Sequence, residues 1–182
     1  MPSLINTVKD PLLKQAQQQA EASVPKPYRK GYDAIMAAGL KLMFSEQTFP
    51  MMQQYMGAIK TPQDIPKMVA HGITKVLSML MNVGKTKFPL EASGAAAVVL
   101  MTHALEYLES IKKMDVTADV LAETTRLVTQ GHLMLLKQSS GLDDNQFGQV
   151  MAGKGKELAT QMQSQQGAVP PAQPAPAPVG GM

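Results

Sequence analysis

Apolar residues return every three or four positions along most of the chain, the pattern of helices that bury one face and leave the other to water. The clearest stripe is Ile65, Val69, Ile73, Val76, Leu77, Leu80 and Met81. "TPQD" at 61–64 precedes it, with Thr61 at an N-cap, Pro62 at the first helical position and Asp64 beside the positive end of the helix dipole. The same pairing of cap and proline at Asp10-Pro11 opens a polar, helix-favouring run to about Ser23. Pro25 and Pro27 then break the chain. A second helix is predicted from about Tyr28 to Phe44, with Tyr32, Ile35, Met36, Leu40, Met43 and Phe44 on its apolar face. Ser45 is placed to cap a short third helix, "EQTFPMMQQYMGAI", with Pro50 near its first turns. The stripe helix is the fourth.

A fifth helix is predicted over about 90–113 and a sixth from a Thr117 cap to about Gln138, with Val120, Leu121, Leu127, Val128, Met134 and Leu135 inside. Asp143 or Asp144 caps a seventh, "QFGQVMAGKGKELATQMQSQQ". Its interior glycines, at roughly 1 kcal/mol each relative to Ala, make it the least stable of the set. From Gly167 onward an uncharged Pro/Ala/Gly tail has no apolar face to bury and is expected to be extended or flexible. No strand pattern interrupts the series. The expectation is an all-α helical bundle of about six to seven helices, arranged as an N-terminal arm (1–9), a helical domain (10–166) and a tail (167–182).

Composition sharpens this picture in three places. The 182 residues suffice for one domain with a sizeable core. That core has few aromatics (4%, no Trp) and 15 Met, so it packs adaptably and specifies its geometry weakly. The absence of Cys excludes disulfides, thiol catalysis and thiolate metal sites. "MPSLINTVKD" lacks the pattern of a secretory signal, and "AAAVVLM" at 95–101 falls short of the roughly 20 apolar residues of a spanning helix. The net charge of +3 hides an asymmetry: residues 1–90 carry 11 Lys/Arg against 5 Asp/Glu, and residues 91–182 carry 6 against 9. Opposite signs on two parts of one chain favour head-to-tail contact or an acidic partner; a chance imbalance of solvated charges is the equal alternative.

Candidate chemistry is sparse. "NVGKTKFP" at 82–89 resembles the end of a phosphate loop, but Met79 stands where the first glycine is needed and a helix precedes it. It reads as a helix terminus, with Gly84 as C-cap and Lys85 and Lys87 near the negative end. His71, His103 and His132 fall on successive helices without the close pairing that metal-binding bundles use, and His103–Glu106 is in reversed order. They are expected at the surface or half buried. Asp143-Asp144-Asn145 lacks calcium-loop spacing, and Ser139-Ser140 has no nearby base. No catalytic residue, cofactor or metal is expected.

Two surfaces are candidates for contact. In "KPYRKGY", Lys26, Arg29 and Lys30 can meet phosphates or an acidic partner, with Tyr28 and Tyr32 available for stacking; a solvated helix start is the alternative. In "ASGAAAVVLM", the small residues allow another backbone close approach, so Gly94 and Ala97 are candidates for self-association, with packing inside one subunit the equal alternative.

The whole profile, from "PLLKQAQQQAEAS" through "ASGAAAVV" to "AVPPAQPAPAPVGGM", resembles the small internal virion or ejection proteins of short-tailed bacteriophages. The resemblance implies a non-enzymatic protein released ahead of the genome. It implies a homo-oligomeric helical ring or tube that joins portal, tail or larger ejection proteins in a conduit across the host envelope, with DNA and host-membrane contact as further implied partners. It also implies residence in the virion, after synthesis in the host cytoplasm. A helical adaptor or secretion-associated protein-binding module is the reading from a different class.

The composition of the tail generates a direct test. A chain ending at Gln166 should keep the helical content and Tm of the full protein, measured by circular dichroism. A fall of many degrees would mean that residues 167–182 dock on the domain.

Overall fold

The computed structural model describes residues 8–46, 48–83, 89–112 and 114–140, together with Asp143, Asn145, 147–149 and Ala152. Among them are six α-helices: α1 (Pro11–Ala22), α2 (Arg29–Met43), α3 (Phe49–Ala58), α4 (Ile65–Val83), α5 (Leu90–Lys112) and α6 (Ala118–Ser140). Short 3-10 turns at Lys26–Tyr28 and Pro62–Asp64 lead into α2 and α4, and no described residue lies in a strand. The protein is all-α, a helical bundle, as the apolar periodicity requires.

The chain divides into two compact units after Ser139, inside the span expected as one helical domain. In the second unit Asn145, 147–149 and Ala152 are helical, and the Phe147 N–H donates to the Asp143 carbonyl at 2.9 Å, as in a first helical turn. The rest of the seventh predicted helix and the Pro/Ala/Gly tail lie outside the described residues.

Local chemistry sets most helix starts. Asp10 accepts from the Leu12 and Leu13 N–H groups at 2.8 and 2.9 Å, with Pro11 occupying the position where a missing N–H costs nothing. Before α4 the Asp64 carboxylate accepts from the N–H groups of Thr61 (2.9 Å) and Lys60 (3.1 Å), the reciprocal half of a capping box. Those bonds hold the Asp64 carboxyl below its ordinary range. Thr117 caps α6, its Oγ1 lying 3.4 Å from the Val120 N–H.

The third helix corrects the sequence reading. It starts at Phe49, with Thr48 rather than Ser45 at the N-cap. Ser45 Oγ instead donates to the Leu42 carbonyl (3.0 Å) and lies 2.9 Å from Thr48 Oγ1, so the two hydroxyls close the α2–α3 turn. Phe44 is also corrected: it caps the C-terminus of α2 and points out of its apolar face.

α5 is the central element. Helices α1, α2 and α4 pack on it, α3 packs on α4, and α2 also meets α4. From Ala92 to Leu105 no α5 residue is exposed, and Leu100, Leu105 and Leu108 are fully buried. The small residues bring neighbours close. Ala97, 1% exposed, lies inside the subunit, and a Cβ on Gly94 would lie 4.0 Å from His132 Cε1 of α6. Of the two readings of Gly94 and Ala97, these placements fit packing within one chain: both positions make room for helices of the same chain.

Two further glycines mark close crossings. A Cβ on Gly39 of α2 would lie 2.7 Å from Leu100 Cδ1 of α5, and one on Gly131 of α6 would collide with Thr74 Oγ1 of α4. Gly57 of α3 faces open space. The pair Gly39 and Gly57 therefore separates packing from propensity. Gly39→Val should lower the unfolding free energy by about 1–3 kcal/mol through overpacking against Leu100, whereas Gly57→Ala should raise it by up to about 1 kcal/mol through lost chain entropy. Urea denaturation of both variants reads the sign directly.

Candidate functional site

The polar groups buried in a bundle show where its chemistry can lie, because each must be partnered or costs free energy. On α6 the apolar face Leu121, Val128 and Leu135 carries His132 one turn beyond Val128. His132 is 4% exposed, and its Nε2 lies 3.0 Å from Ser93 Oγ of α5. Both line a cavity of about 20 Å³ whose other walls are Ile35, Leu77, Leu80, Met81 and Leu136, space for about one water. Burial pushes the His132 imidazole down to about 4, so at neutral pH it is uncharged.

His103 of α5 is 6% exposed, and its Nε2 has no hydrogen-bond partner among the described residues. Burial lowers its pKa, while the Glu21 and Glu106 carboxylates oppose that shift. Glu106 is already engaged: it accepts from the Lys9 and Asp10 N–H groups at 2.9 and 3.3 Å, seating the start of α1 on α5. Glu21 accepts from Gln17 Nε2 (3.0 Å) and from the Tyr32 hydroxyl (3.4 Å). Burial of that hydroxyl, reinforced by the Glu21 charge, pushes its pKa up.

These placements correct two expectations. His103 and His132 are core residues, and only His71 is exposed, with its ring 6.4 Å from that of Tyr55. The signal in the sequence was context: His103 stands in "VVLMTHALE", with no room for a polar face. In the basic cluster Lys26, Arg29 and Lys30 are exposed, but Tyr32 is buried and offers no stacking face. Arg29 works inside the fold, donating to the Glu21 carbonyl at 2.8 Å at the end of α1 and covering the Tyr32 ring at 5.6 Å.

The remaining motifs have structural partners or fall outside the description. Ser139 Oγ donates to the Leu136 carbonyl at 2.9 Å. α4 continues through Asn82 and Val83, so a helix leads into "NVGKT"; Gly84, Lys85, Thr86 and Lys87, like Asp144, lie outside the described residues. Among the described residues no group of three or more His, Asp or Glu is placed to hold a metal ion.

One surface feature was not anticipated. The Tyr107 ring of α5 meets Phe44 edge-on at 5.8 Å and Phe49 at 6.4 Å. Ile111, one turn further along α5, is 47% exposed, and Phe44 is 39% exposed. In a chain with four Phe and four Tyr, three rings and an isoleucine thus gather at one end of the bundle. Met134, expected inside α6, is exposed as well. No protein-family model, curated protein or solved structure matches the chain.

The interior histidines make stability depend on pH. A folded-state pKa of about 4 for His132, against an ordinary 6.5, means that the unfolded chain binds the extra proton first as pH falls. The contribution is complete above about pH 6.5 and is lost as pH drops towards 4, up to about 3 kcal/mol. Denaturant unfolding at pH 7.5 and 4.5 should therefore show a smaller loss in His132→Leu than in the natural chain, by about 2 kcal/mol. Equal losses in the two proteins would remove His132 from this account.

Proposed function

We propose that the chain is a non-enzymatic structural protein of a short-tailed bacteriophage virion, one that leaves the capsid ahead of the genome. In this reading it assembles with copies of itself and with portal, tail or larger ejection proteins into part of a conduit across the host envelope. The observation that carries the assembly step is the cluster in which exposed Phe44 and Ile111 flank the half-buried rings of Phe49 and Tyr107. Apolar side chains gathered at the surface in this way form a patch of the kind found at the centre of protein interfaces. A second copy of the chain is the occupant proposed for it.

Two further features support a mechanical role over a catalytic one. The interior imidazoles are walled off from any substrate, and the buried polar groups with partners serve the fold: Ser93 to His132, Thr102 to the Val99 carbonyl, Thr124 to the Val120 carbonyl. Met36, Met43, Met52, Met56 and Met101 fill the contacts between helices. Such unbranched side chains repack at low cost when helices shift, which suits a protein that must pass a narrow channel and reassemble. No helix among the described residues is long and apolar enough to cross a membrane. Contact with the host membrane therefore belongs, in this proposal, to the assembly.

The same aromatic patch favours the second reading, a helical adaptor whose apolar surface takes a partner's amphipathic helix. Light scattering of the isolated protein, paired with mass spectrometry of purified particles, separates the two. The virion reading expects concentration-dependent oligomers that Ile111→Asp disperses without loss of helical signal, and the chain itself inside particles. A protein that stays monomeric at high concentration and is absent from particles overturns it.

A further inference from the structure

The exposed face of α4 has a single sign of charge. Lys67, His71 and Lys75 stand at i, i+4 and i+8, all exposed, on a helix that contains no Asp or Glu. Consecutive members of such a row are about 6 Å apart along the axis. The sequence has no acidic residue at all between Asp64 and Glu91. The adjoining α3 carries no charged residue, and the α3–α4 connection adds exposed Lys60.

Asp64, the one acid at the start of this face, keeps its charge but is turned to the helix cap and forms no ion pair with a described lysine. Its carboxylate is held by the N–H groups of Thr61 and Lys60 and by Thr61 Oγ1 at 3.0 Å. Neither Lys67 nor Lys75 pairs with a described acid. Other surfaces of the bundle mix their signs, as soluble proteins ordinarily do: Arg126 pairs with Glu123 at 2.7 Å on α6, and Asp33 lies one turn from Lys30 on α2. Beside the row, Tyr55 of α3 is partly exposed, its ring tilted 46° to that of His71 at 6.4 Å.

We infer that the α3–α4 face is a binding surface for the sugar–phosphate backbone of a nucleic acid, with Lys60, Lys67 and Lys75 on phosphates and the Tyr55–His71 pair as a platform for a base. Lysines along one face can track a phosphate chain without reading its sequence. The exposed His71 ring, with the partly exposed Tyr55 ring beside it, offers a surface on which any base can stack, which makes a single strand the better ligand. The residues differ from those of the Phe44–Tyr107 patch, so the inference stands whether or not the chain self-associates. They also differ from the Lys26–Arg29–Lys30 cluster, where Arg29 is engaged within the fold and Tyr32 is buried.

The test is fluorescence anisotropy of the full chain with a labelled 30-nucleotide single strand and its duplex, at 20–200 mM NaCl. Binding should weaken linearly in log–log form with salt, with a slope of about −2 for the single strand, the value for three phosphates. Lys67→Glu with Lys75→Glu should weaken binding at least about tenfold while Tm is unchanged. The milder Lys67→Gln, Lys75→Gln pair should make the salt slope shallower by about one or more. Tyr55→Ala should weaken the single strand more than the duplex. The inference fails if no binding is seen at 20 mM salt, or if Lys26→Glu with Lys30→Glu abolishes binding and the α4 pair does not. It also fails if polyglutamate at equal charge displaces the strand equally well, which would make the surface a general dock for acidic polypeptide.

Discussion

Enclosing one helix on all sides limits what every other helix of the bundle can be. α5 can be wrapped only if its neighbours' backbones come close enough to leave no gap, and this is why Ala92, Ala95, Ala96 and Ala97 line its first turns. Larger side chains there would hold α2, α4 and α6 away and leave unfilled space around them. Where α5 does carry bulk, at Leu100, the facing residue of α2 is Gly39, so the exchange of size is reciprocal. The flanking helices need one apolar face each, and their amphipathic patterns follow from that position.

Such an interior leaves little freedom for polar groups. Thr102 and Thr124 return their hydroxyls to their own helix at 2.8 and 2.6 Å, and Ser93 meets His132 across the α5–α6 contact. Several carboxylates serve element ends, where backbone groups lack helical partners. Glu106 takes the start of α1, and Glu109 takes the Val116 N–H at 2.8 Å in the connection to α6. Burial raises the Glu109 pKa against that hydrogen bond, with Asp10, Glu106 and Asp115 adding repulsion. Carboxylates of Asp10, Glu106, Glu109 and Asp115 thus gather near the α1–α5 contact, whereas the α3–α4 face carries Lys60, Lys67 and Lys75.

Two surface features stand out among the described residues: a cluster of rings at one end of the bundle and a row of lysines along α4. An assembling virion protein that also meets nucleic acid would use the two surfaces for different partners.

Local chemistry was legible from residues alone. The helices, the Asp10-Pro11 and Thr117 caps, and the Thr61–Asp64 capping box are interactions among residues a few positions apart, so a one-dimensional reading contains both partners. The acid-free run from Asp64 to Glu91 was likewise written in the chain. Tertiary packing decided the rest. Phe44 and Met134 fit the periodicity of buried positions yet remain exposed, because no described helix covers them fully. His103 and His132 have polar side chains yet are buried, because α5 is surrounded and the face of α6 that carries His132 meets it. The small residues of α5 offered two readings of equal standing, a contact between copies or a crossing within one. A small side chain states only that something comes close; which backbone does so depends on how distant segments pack.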